Sequence, residues 1–157
     1  MLATAASIQL SLGQSYDAIG LHLKGTPTVA TGLIVKGLAM PEMKVEIDLE
    51  AVIPKQGRHK LFRLFNTGEM FGQTSIDRDS CMVINTGDEI YLRGQTGCEL
   101  DGSKMYGPGF APEDAVAQAD QAMKNARKLL EEAGSSFDDV CKTRIYIADR
   151  AYREPIY

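Results

Sequence analysis

The stretch that most constrains this chain is 112–148, which reads as a helix, a glycine stop and a strand. Between Pro112 and Ala133 the apolar residues stand at Val116, Ala119, Met123, Ala126, Leu130 and Ala133, in steps of three or four. That period is helical and predicts one apolar stripe. Pro112 suits a first turn, and Glu113 and Asp114 suit the positive end of the helix dipole. Gln118, Gln121, Lys124, Asn125, Lys128 and Glu132 read as the opposite, solvent face. Gly134 supplies the left-handed residue that commonly closes a helix. Val140–Ala148 then follows, rich in β-branched and aromatic residues, and predicts a strand. A helix with a single apolar stripe needs a sheet to lie on, so the unit predicts a layered α/β (α+β) fold.

The rest of the chain supplies strand candidates. Tyr16–Leu23 is a short helical segment stopped at Gly25-Thr26-Pro27. Val29–Leu38 reads as a strand interrupted by Gly32 and Gly37. Lys44–Ile53 alternates, with Val45, Ile47, Leu49 and Ala51 set against Glu46, Asp48 and Glu50. The two predict a hairpin with one buried face. Pro54–Lys60 combines proline, glycine and charge without periodicity and reads as a linker. Leu61–Phe65, Cys81–Ile84 and Glu89–Leu92 are short strand candidates, the last two joined by Asn85-Thr86-Gly87-Asp88. Asn66–Asp79 and Gly94–Phe110 read as loops.

Length and composition bound the classes. A chain of 157 residues predicts one domain, 1–157, large enough for a core. A net charge of -4, with no basic face, argues against a nucleic-acid partner. Cys81, Cys98 and Cys141 are odd in number and form no CxxC pair, so neither a disulfide framework nor a metal site is expected. Free thiols suit a cytoplasmic location, and Met1–Leu12 reads as neither a signal peptide nor a membrane span. The chain also reads better as a circle. Glu154-Pro155-Ile156-Tyr157 followed by Asp17–Leu23 makes one amphipathic helix, with Ile156, Ile19 and Leu23 spaced four apart.

Taken from Leu61 to Tyr157 and then from residue 16 to 54, the sequence resembles the Rid family, also called YjgF-type. The matching residues are Leu92-Arg93-Gly94-Gln95-Thr96-Gly97, the helix Gln118–Gly134, the strand Val140–Asp149, and Lys44-Val45-Glu46-Ile47-Asp48 with Ala51-Val52. In this chain 16–54 resembles the family's C-terminal part and 61–157 its N-terminal part, joined through 55–60, which is a circularly permuted order. The resemblance implies a chorismate-mutase-like, ferredoxin-like sheet with two helices on one face. It also implies a homotrimer with small-molecule clefts between subunits, and hydrolysis of reactive imines or enamines without metal or cofactor. Some members of the family are described instead as ribonucleases or translation inhibitors. The trimer has a second argument. Val140–Ala148 and the strand around Thr31–Ala39 carry apolar residues on both faces, and helices on one side cover only one.

The same resemblance assigns site residues. Glu46 matches the family carboxylate that positions the attacking water, a role open to a desolvated carboxylate; equally, it is one of three acids on the polar face of an alternating strand. Ligand-binding positions carried over are Thr31, Gly32, Leu33, Phe71, Arg93 and Gln95. The family's carboxylate-binding Arg falls, counting back from Lys44-Val45-Glu46 without a gap, on Thr31, so the bidentate clamp is missing. Arg93 can restore a positive charge or be an exposed strand-end residue. Gln95 can face ligand or satisfy its own loop. Cys98 has no histidine beside it in sequence to make it a thiolate, while Cys81 and Cys141 are expected to pack as small apolar residues. A non-catalytic metabolite-binding or sensor protein is the alternative reading.

Overall fold

A computed structural model describes residues 19–68, 79–101 and 114–157. They form two compact units divided after Tyr91. The architecture mixes helix and sheet, as an α+β fold requires.

The strands lie in the first unit, the last of them ending one residue beyond it. In order they are β1 (Lys60–Phe62), β2 (Phe65–Asn66), β3 (Asp79–Ser80), β4 (Val83–Asn85) and β5 (Ile90–Leu92). β1, β4 and β5 form a sheet in the order β1-β4-β5, and β2 pairs antiparallel with β3. The register of β1 on β4 sets Lys60 opposite Asn85 and Phe62 opposite Val83. Arg63 breaks β1 from β2 with a φ of 52°, so the predicted strand over Leu61–Phe65 is two short ones. The turn from β4 to β5 follows the sequence expectation. Thr86 N–H donates to Glu89 O at 2.9 Å, the Asn85 Oδ1 accepts from Gly87 N–H at 2.8 Å, and Gly87 takes a φ of 102°. Cys81, Met82 and Val83 form the buried apolar run of this unit. Segment 25–28 lies against it: Gly25 N–H donates to the Asp79 carboxylate at 2.9 Å, and Thr28 bridges Ser80 in parallel sense.

The predicted hairpin of Val29–Leu38 and Lys44–Ile53 differs. Neither segment joins a ladder among the described residues, and the expected buried face is exposed: Val45 is 55%, Ile47 53% and Leu49 76% accessible. Alternation marks a segment able to bury one face, but it does not supply the neighbour. Lys44–Ile53 is anchored instead at its far end. The Pro54–Lys60 stretch is tethered and not a free linker, with Lys55 paired to Asp88 at 2.6 Å and the His59 Nε2 on the Val52 carbonyl oxygen at 2.9 Å. The helical start at Tyr16 lies outside the described residues, and 19–23 is helical.

The second unit is built on α1 (Ala115–Glu132). Asp114 caps it by accepting from Ala117 N–H at 2.8 Å. Pro112 and Glu113 lie outside the described residues. At the other end Gly134 has a φ of 84°, Gly134 N–H bonds Glu131 O at 3.1 Å, and Ser135 N–H bonds Leu130 O at 2.9 Å. That pair of bonds is the Schellman closure, and it needs the left-handed glycine. The buried line of α1 is rotated from the predicted stripe. Val116 and Met123 are about half exposed, whereas Asn125, Leu129, Leu130 and Ala133 are buried. Phe137–Asp139 forms a 3-10 turn locked by a Ser136/Asp139 capping box. Arg127 stacks over the Phe137 ring at 4.5 Å and ties that turn back to α1. Val140–Ala148 leaves the turn extended at Val140 but joins no ladder among the described residues, and Cys141 is exposed, not packed. Its apolar residues on both faces need neighbours on both sides. The 3-10 turn Arg150–Tyr152 leads into α2 (Arg153–Ile156), which packs on α1.

Leu129 is fully buried, so Leu129→Ala should lower unfolding stability by about 2–5 kcal/mol in urea titration. The Asp139 carboxyl is held below the ordinary carboxylate range, chiefly by the Ser135 hydroxyl, which donates to it at 2.8 Å, and then by the Ser136 N–H. A depressed folded value contributes stability that is full above the unfolded value of about 3.9 and is lost as pH falls through the folded one. The gap in Tm between the native sequence and Asp139→Asn should therefore be steady at neutral pH and close below about pH 4.

Candidate functional site

The residues singled out from the sequence divide between the two units. Thr31, Gly32, Leu33 and Glu46 belong to the first and are exposed, Leu33 by 49%. Arg93 and Gln95 belong to the second and are half-buried. Phe71 lies outside the described residues.

Arg93 and Gln95 are brought together. The Gln95 Nε2 donates to the Arg93 backbone oxygen at 2.8 Å. A carbonyl oxygen can only accept, so the amide nitrogen is the end that folds inward. That leaves the Gln95 Oε1 as the acceptor end of the amide, a chemistry that suits the N–H of an imine, enamine or amide, or a water proton. Half-burial of Arg93 sets it apart from a freely solvated strand-end residue.

The loop that follows is fixed from the helix side. Gly97 approaches α1 so closely that an added Cβ would sit 2.8 Å from Gln118 Cγ and 3.0 Å from its Cα. Only a residue without a side chain fits there. Seven residues on from Gln118, the Asn125 side chain is 4% exposed and its Nδ2 donates to Cys98 O at 2.7 Å, with Thr96 O at a longer 3.5 Å. Gln121 steadies it, donating to the Asn125 Oδ1 at 2.9 Å and reaching the Glu99 carboxylate at 3.5 Å. Sequence reasoning set Gln118, Gln121 and Asn125 on the solvent face. The signal it passed over is their chemistry: three uncharged carboxamides follow one another at helical spacing. A carboxamide can answer both backbone donors and acceptors.

Cys98 is half-buried, and its N–H donates to the Thr96 hydroxyl at 3.4 Å. Among the described residues no three His, Cys, Asp or Glu side chains group so as to hold a metal ion. No helix among them is long and apolar enough to cross a membrane.

Comparison with known sequences bears on the same loop and helix. The profile of the family described as Endoribonuclease L-PSP, the YjgF or Rid family, matches residues 76–154, half of the chain. The chain belongs to this family. Two curated relatives are similar to it over 60 residues. They are the 2-iminobutanoate/2-iminopropanoate deaminases of Mus musculus, 35% identical, and of Homo sapiens, 37% identical. Each match takes in 38% of this chain, and it covers 41% of the mouse protein and 40% of the human one. The chain thus matches about two-fifths of the length of either relative. No solved structure matches. The family match contains Arg93, Gln95 and the whole of α1, and it leaves out Thr31, Gly32, Leu33, Glu46 and Phe71.

Proposed function

We propose that this protein is a Rid-type small-molecule protein whose reaction, where it has one, is cofactor-free hydrolysis of an imine, enamine or amide-like metabolite. Membership of the L-PSP family and the deaminase names of its relatives support a reaction at a C=N bond. The observation that carries the reading is the Gln95 carboxamide, whose nitrogen is held by the Arg93 carbonyl and whose oxygen is left as an acceptor. In this reading Glu46 orients or deprotonates the attacking water, and Arg93, Gln95, Thr31, Gly32, Leu33 and Phe71 meet the ligand. The site would be completed where subunits of a homotrimer meet. The exposure of Ile34, Val35, Val45, Ile47, Leu49, Ile145 and Tyr146 in the single chain supports such an assembly. We further propose one chorismate-mutase-like domain in circularly permuted order, with two helices on one face of the sheet, and a cytoplasmic setting, which three free cysteines suit. Ribonuclease action ranks last for an acidic chain.

Thr31 supports a second reading, that of a binder or sensor of a less anionic ligand. A 2-imino acid must bring its carboxylate out of water, and an unpaired anion is costly to desolvate. An Arg clamp offsets that cost with charge-assisted bonds of roughly 1.5–3 kcal/mol, while a threonine hydroxyl donates one neutral bond. Efficiency on small 2-imino acids should therefore be about 10- to 150-fold below that of an Arg-bearing relative. The test generates the imine with an amino-acid oxidase and follows its decay with the native sequence, Thr31→Arg, Arg93→Ala and Glu46→Gln. Gain in Thr31→Arg and loss in Glu46→Gln support the hydrolase. Native rates equal to those of an Arg-bearing relative, lost in Arg93→Ala, show instead that Arg93 carries the charge. No hydrolysis by any of the four overturns the enzyme. Assembly is checked separately by light scattering: a trimer near three times 17.1 kDa is expected at micromolar concentration, and a monomer overturns it.

A further inference from the structure

We propose that Asn125 is the positioning residue of the ligand-facing loop, holding Arg93–Cys98 at the depth that Gln95 needs to meet its ligand; this rests on the reading of that loop given above. The loop turns two backbone carbonyls, those of Thr96 and Cys98, toward α1. Nothing apolar can answer them, and a helix interior has no backbone donors to spare. The Asn125 Nδ2 supplies both hydrogens from one buried, nearly rigid group. Gln121 orients that group by donating to its oxygen, which fixes the amide so that its nitrogen faces the loop. Gly97 closes the arrangement from the other side, because any Cβ would press against the backbone of Gln118. The loop is therefore clamped at one depth by a polar contact and a steric limit. Two residues upstream, Gln95 spends its donor on the Arg93 carbonyl and has no such tie to α1 of its own. Its position is inherited from the clamp.

The Cys98 thiol reports the clamp, since its own carbonyl is the one Asn125 holds most closely. In a Cys141→Ser background, alkylation reads Cys98, because Cys81 is fully buried. Asn125→Ala should raise the Cys98 alkylation rate about tenfold, the order of one lost hydrogen bond. Gly97→Ala, which alters no residue of the helix and pushes the loop off it, should do the same. Asn125→Asp gives a signature that loss of packing cannot imitate. Protonated, it has one O–H to donate, to the nearer Cys98 carbonyl; ionised, it repels both carbonyls. Its alkylation rate relative to the native sequence should rise with pH, while that of Asn125→Ala stays flat. Leu129→Ala, which weakens α1 by packing alone, is the control and should leave the ratio near one below its Tm.

In the imine assay the same Asn125 and Gly97 variants should raise KM by a similar factor, with kcat falling less. Unchanged Cys98 labelling in both Asn125→Ala and Gly97→Ala overturns the clamp. Raised labelling with unchanged KM overturns its role in positioning the ligand. A native protein without imine hydrolysis overturns the functional reading and leaves the labelling ratios to decide the clamp by themselves.

Discussion

A single buried carboxamide organises the second unit. Asn125 stands on α1 among Leu129, Leu130 and Ala133, where a polar group is unfavourable unless it is hydrogen-bonded. Its partners are the carbonyls of a loop that has no secondary structure to satisfy them. Each side therefore solves the other's difficulty. The helix can bury a polar residue because the loop needs a donor, and the loop can lie flat on the helix because Gly97 removes the side chain that would lift it off. The capped ends of α1, Asp114 at the start and the Gly134 closure at the end, hold the donor in place along the helix axis. The orientation of Gln95 is a consequence of this arrangement.

The chemistry open to such a loop is set by which groups remain available. Gln95 offers an acceptor, which matches the N–H of an imine, enamine or amide. In the proposed reading the family's charged clamp falls on Thr31, while the Arg93 guanidinium belongs to the half-buried strand end. A site so built would discriminate by hydrogen-bond pattern more than by net charge, because an unpaired donor or acceptor costs more than a matched pair gains. On the proposed reading, a chain of the L-PSP family that shares 35–37% identity over 60 residues with proteins named 2-iminobutanoate/2-iminopropanoate deaminase would favour a ligand less anionic than a 2-imino acid.

The exposed apolar positions follow one rule. Val45, Ile47 and Leu49 alternate along one segment, while Ile145 and Tyr146 are adjacent and so fall on opposite faces of another. Exposure of this much β-branched and aromatic surface is unfavourable in water at roughly 25 cal/mol per Å², and extended segments without a ladder leave their backbone groups to solvent. Both costs fall when strands pair and faces are covered. The first unit shows what pairing achieves: Cys81, Met82 and Val83 are buried where strands do meet.

What the sequence determined by itself was local. The 3.6-residue period located α1, Gly134 gave its stop, and Asn85-Thr86-Gly87-Asp88 gave the turn from β4 to β5, while Asp114, read as a first-turn acid, proved to be the cap. Each of these is decided within a few residues, by dihedral preference or by a side chain reaching its own backbone. The family, too, was legible, and the strand end at Arg93–Gly97 and the helix after it both lie within the family match. The tertiary structure alone decided which face of α1 is buried. A polar stripe of Gln118, Gln121 and Asn125 looks like a solvent face until a loop lies on it and its carbonyls accept from Asn125. It also decided whether alternating segments are strands. Lys44–Ile53 and Val140–Ala148 have the pattern but no ladder among the described residues, because a strand is a relation between two segments and a period is a property of one.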